Sequence, residues 1–113
     1  MIPNEYKPLI DKIIQRTSER VLTWMTTSIE DQFETKIGNY NVTIRRFLRD
    51  VYDDEPASVS FEILDSYGEK VDYLYTDEDE EIDYDKMLSL FSAARRQALN
   101  IDGAISDMMQ NLD

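Results

Sequence analysis

The chain has 113 residues, enough for one domain with one real core, and its 12 Lys and Arg against 24 Asp and Glu give a formal net charge of −12. It contains no cysteine and no histidine, which excludes disulfides, thiolate nucleophiles, thiolate or imidazole metal sites and every His-dependent triad. Apolar residues at 42% and aromatics at 11% argue for a folded domain despite the charge.

The opening Met1-Ile2-Pro3-Asn4-Glu5 is not a basic region followed by an apolar one, and no apolar run approaches the roughly 20 residues that span a bilayer. A cytoplasmic protein without membrane association is expected. The first helix is predicted from Pro3 to about Leu22, with Ile10, Ile13, Ile14, Thr17 and Val21 recurring at helical spacing. Pro8, a residue suited to a first helical turn, allows the start to fall at residue 7 or 8. Trp24 follows as a core plug, since it has the largest apolar area to bury.

Residues 32–46 read as a hairpin about the pair Gly38-Asn39, where glycine supplies the positive φ of a primed turn. The register sets Ile37 opposite Tyr40, Thr35 opposite Val42 and Phe33 opposite Ile44. Lys36 then opposes Asn41, Glu34 opposes Thr43 and Gln32 opposes Arg45. One face of this hairpin is apolar and the other, including Glu34, Lys36, Thr43 and Arg45, faces solvent. A second hairpin spans 58–76 through Ser66-Tyr67-Gly68, with Asp65 opposite Glu69. Across that turn Ile63 opposes Val71, Phe61 opposes Tyr73 and Val59 opposes Tyr75, so the alternation predicts that these residues share the inner face. Between the hairpins lies a solvated loop, Asp50 to Ser58.

After an acidic linker at 77–83, the pattern from Tyr84 to Leu112 is helical. Met87, Phe91, Ala94, Ala98, Ile101, Ile105, Met108 and Leu112 form an unbroken heptad seam. About 29 residues of helix, roughly 43 Å, outrun a sheet of six-residue strands. Ile101, Ile105, Met108 and Leu112 must therefore pack either on the first helix or on a second copy of the chain. The expected architecture is one α+β domain over 1–113: N-terminal helix, four-stranded antiparallel meander and long C-terminal helix, with the helices on one face of the sheet.

The charge is local. Residues 50–85 hold 15 of the 24 acids and only one base, Lys70, for a net −14, while the flanks together carry +2. Such a segment repels nucleic acid and anionic membranes and attracts basic protein surfaces. The run Asp77–Asp85 lacks the glycine and the terminal glutamate of a calcium loop, since the corresponding positions are Ile82 and Leu88. The three glycines are dispersed, so no phosphate-binding loop is present. Arg45, Arg46, Arg49, Arg95 and Arg96 are expected to pair within the chain, with Asp50, Asp53, Asp54 or the last strand. Tyr52 and Tyr67 fall in loops and are expected to be exposed.

These features point to a non-catalytic acidic module that binds a basic protein partner, in an inhibitory, immunity-like or regulatory role, with no cofactor and no nucleic acid. The candidate binding residues are Asp53, Asp54, Glu55, Tyr67, Asp77, Glu78, Asp79, Glu80 and Glu81. The alternative is a homodimeric accessory protein assembled through the C-terminal seam. An enzyme dependent on carboxylates or a divalent metal comes third.

Overall fold

The computed structural model describes residues 1–113. A 3-10 turn, Asn4–Tyr6, leads into α1, Lys7–Ser18, whose first turn contains Pro8. The strands β1 (Met25–Thr26), β2 (Gln32–Ile37), β3 (Tyr40–Phe47), β4 (Ser58–Leu64) and β5 (Lys70–Asp77) follow, then α2 (Glu81–Ala98) and α3 (Ile101–Leu112). The sheet is antiparallel in sequential order β1 to β5. It therefore has five strands where four were expected, because Met25 and Thr26 pair with Glu34 and Phe33 along the free edge of β2.

The first hairpin has the expected register at all six positions, from Gln32–Arg45 to Ile37–Tyr40, with Gly38 at φ +61°. Two of its residues depart from the expected exposure. Tyr40, at the turn end, is half-exposed, and Thr43 is buried on the outer face between its lateral neighbours Glu34 and Glu62.

The second hairpin turns as expected, with the Asp65 amide donating to the Glu69 carbonyl at 2.8 Å. Its register nevertheless slips by one residue. Leu64 pairs with Lys70 but Ile63 pairs with Asp72, leaving Val71 as the extra residue of a β-bulge. Phe61 then opposes Leu74 instead of Tyr73, and Val59 opposes Thr76 instead of Tyr75. Leu74 and Thr76 are buried, whereas Val71, Tyr73 and Tyr75 are exposed on the outer face. A one-residue slip inverts every side chain, and here it turns Tyr73 and Tyr75 away from the core.

Helix α1 ends at Ser18, four residues before the expected Leu22. The Arg20 amide bonds the Thr17 carbonyl and the Val21 amide bonds the Arg16 carbonyl, with Arg20 left-handed at φ 62°. This is a Schellman cap, and it expels Val21 to 65% exposure instead of seating it in the stripe. The expected 84–112 helix starts earlier, at Glu81 inside the expected 77–83 linker, and is two helices. Asn100 at φ 48° breaks it between Leu99 and Ile101.

Helix α2 lies across β2 to β5, and α1 packs against α2. Ile10, Ile13, Trp24, Phe33, Ile44, Phe61, Met87, Leu90 and Phe91 form the centre of the core, with the Phe33 and Phe91 rings 5.6 Å apart. Burial fades along the heptad seam: Met87, Phe91 and Ala94 are fully covered, while Ile105, Met108 and Leu112 are 45%, 58% and 82% exposed. The tail does not pack on α1; its substantial contact is with α2 alone. No helix is long and apolar enough to cross a membrane.

Candidate functional site

The meander brings the two acidic stretches to one end of the sheet. The loop joining β3 to β4 is closed by reciprocal backbone bonds between Asp50 and Glu55, both 3.0 Å. The turn after β5 is fastened to that loop. The Glu78 amide donates to the Ala57 carbonyl at 3.0 Å, and the Ala57 amide donates to Glu78 Oε1 at 3.2 Å. Asp53, Asp54 and Glu55 thus stand beside Asp77, Glu78, Asp79, Glu80 and Glu81. Only two cationic partners sit among them: Arg49 pairs with Glu78, and the Met1 amino group lies 2.5 Å from Glu80.

Several of these carboxylates shape the loops they belong to. Asp50 Oδ1 accepts from the Tyr52 and Asp53 amides, and Asp77 Oδ1 accepts from the Asp79 amide. Such local bonds hold Asp-rich turns without a sheet ladder. No three carboxylates of the chain converge closely enough to hold a metal ion.

Tyr67 is exposed, as expected of a loop residue, but lies at the other end of the sheet. The strand β4 separates it from the acidic cluster by about 20 Å. The aromatic residue beside the acids is Tyr52, 96% exposed, in a loop that also exposes Leu48 and Val51. Its place in the Asp50–Glu55 loop is a sequence signal available without a structure.

A second polar feature needs the fold to become visible. Arg20, Thr23, Trp24, Arg96, Gln97 and Asn100 line a cleft of about 460 Å³ where the end of α1 meets the α2–α3 junction. It adjoins a second cleft of about 520 Å³ that includes Arg46, Phe91, Arg95 and Ile101 and shares Arg96 with the first. The floor is a hydrogen-bond network. Trp24 Nε1 donates to Thr17 Oγ1 at 2.9 Å, Gln97 Oε1 accepts from the Trp24 amide at 2.6 Å, and Gln97 Nε2 donates to the Leu22 carbonyl.

The arginine partners differ from those expected. Arg46 pairs with Asp31 at 3.2 Å and lies over the Phe91 ring, Arg49 pairs with Glu78, and Arg96 pairs with Asp102 at 2.5 Å. Arg45 stacks on Phe47 instead of forming an ion pair, and Arg20 and Arg95 have no carboxylate partner. The net-negative molecule therefore carries a local arginine-rich concavity, set apart from its acidic end. Between the two, burial raises the pKa of Tyr84, with Glu78 adding to the shift and Arg46 opposing it.

No known protein family, curated protein or solved structure matches this chain.

Proposed function

We propose that the protein is a non-catalytic interaction module whose acidic end binds a basic protein surface, as an inhibitor, an immunity-like protein or a regulator. The observation that carries this reading is the convergence of residues 50–55 and 77–81 at one end of the sheet, with Arg49 and the Met1 amino group as their only nearby cations. A dense one-sign patch of this kind accelerates encounter with a cationic partner and rejects nucleic acid and anionic membranes. Tyr52 supplies what charge alone lacks, an amphipathic ring that can anchor in a partner pocket within a polar rim.

Affinity capture from the native lysate at low and high salt, with wild type beside a variant carrying Asp77→Asn, Glu78→Gln, Asp79→Asn, Glu80→Gln and Glu81→Gln, tests the proposal. A basic protein retained at low salt by wild type alone, and released by salt, is the expected result. Equal retention by both chains would refute it.

A further inference from the structure

We propose that α3 is a dimerisation helix that packs antiparallel against the α3 of a second copy, with Ile101 opposite the partner's Leu112 and Ile105 opposite the partner's Met108. Ile101, Ala104, Ile105, Met108, Met109 and Leu112 fall within an arc of roughly 140° at 3.6 residues per turn, and every polar residue of α3 lies outside it. Ile101, where the arc meets α2, is half-buried, but beyond it Ile105, Met108, Met109 and Leu112 are 45%, 58%, 60% and 82% exposed. A contiguous stripe of large apolar side chains on a soluble helix marks an interaction surface.

The occupant follows from the spacing and the charge. The seam positions 101, 105, 108 and 112 are symmetric about the middle of the helix, so reversing the helix maps the seam onto itself. This is the self-complementarity that an isologous interface requires. Helix α3 contains Asp102 and Asp107 and no basic residue, and Asp113 follows its last turn. Parallel packing would bring the two Asp113 ends together with no base beside them. Antiparallel packing separates those two ends. It also carries the partner's Asp113 to Asn100, beside Arg96 and the unpaired Arg95 at the mouth of the arginine cleft. Two helices about 18 Å long make a contact at the small end of stable interfaces, so the association is reversible and concentration-dependent.

Sedimentation equilibrium from micromolar to millimolar concentration tests the association. The expected mass climbs from the 13.3 kDa of one chain toward twice that value. Ile105→Asp and Met108→Asp each hold it at the monomer mass while melting with the wild type at low concentration, because neither side chain belongs to the core. The chain has no native cysteine, so orientation is read by mixing Ile101→Cys and Leu112→Cys chains under oxidation. A mixed disulfide between the two variants is expected. A wild-type monomer at every concentration would assign α3 to a different protein and overturn the proposal. So would association that survives both aspartate substitutions, or disulfides formed only between identical variants.

Discussion

Thr76 is fully buried on the inner face of β5, and its hydroxyl has no hydrogen-bond partner. An unsatisfied buried hydroxyl forfeits its hydration with nothing in return. Thr76→Val keeps the branched shape, removes that group and should stabilise the fold by about 1 kcal/mol, read as a rise in the urea midpoint at unchanged slope. A second residue-scale consequence lies at the N-terminal turn, where the Tyr6 hydroxyl donates to Asp72 Oδ2. That bond, followed by burial and the Asp72 charge, pushes the Tyr6 pKa from 10.0 up to about 12. The same bond, with the Tyr73 amide, holds Asp72 below its usual 3.8. Raised Tyr6 contributes stability that is complete below pH 10 and is lost as pH climbs toward 12; lowered Asp72 contributes stability that is present above pH 3.8 and is lost as pH falls below it. Tyr6→Phe should abolish the first contribution and the larger part of the second, leaving Asp72 only the Tyr73 amide. Melting temperatures of wild type and Tyr6→Phe should therefore draw together at the two pH extremes and differ most between them.

At the scale of elements, the left-handed residues decide where helices stop. Arg20 occupies the position of the α1 cap that glycine fills without strain. Arg20→Gly should raise stability by roughly 0.5–1 kcal/mol in denaturant unfolding, through relief of a side chain held in the left-handed region. Asn100 ends α2 in the same way, and asparagine is among the few residues that tolerate this region. Its side chain lies over Gly103, where an added Cβ would collide with the Asn100 carboxamide. The glycine inside α3 thus accommodates the break.

Neither stop was legible from periodicity, because a heptad count reads side-chain spacing and is blind to one residue turning the axis. The first hairpin was legible because the Gly38-Asn39 turn and the alternation of Phe33, Thr35, Val42 and Ile44 agree on one register. The second was misread because Val71, Tyr73 and Tyr75 alternate as well as Asp72, Leu74 and Thr76 do. The bulge at Val71 chooses the second set, burying Leu74 and Thr76 beneath the helices and leaving the tyrosine rings outside. The acidic end was legible as composition, since one segment holds 15 of the 24 acids and a single base. The arginine cleft was not, because Arg20, Arg46, Arg95 and Arg96 come together only when the end of α1, β3 and α2 are assembled.

The whole molecule separates its surfaces along α2, whose 18 residues run about 27 Å from the acidic end to the α3 junction. A pairing of α3 with a second copy would leave each acidic end free, so a dimer would present two of them. Neutralising Asp77 to Glu81 should leave the melting temperature nearly unchanged or slightly raised, because exposed pairs contribute roughly 0–1 kcal/mol each and the segment repels itself. The most direct test of the proposed function is the amide chemical shifts of the labelled protein titrated with the basic protein it captures. Shifts at residues 50–55 and 77–81 that weaken with added salt, with the 65–69 turn unmoved, are the expected result. Shifts confined to the Tyr67 turn, to α3 or to the arginine cleft would contradict it.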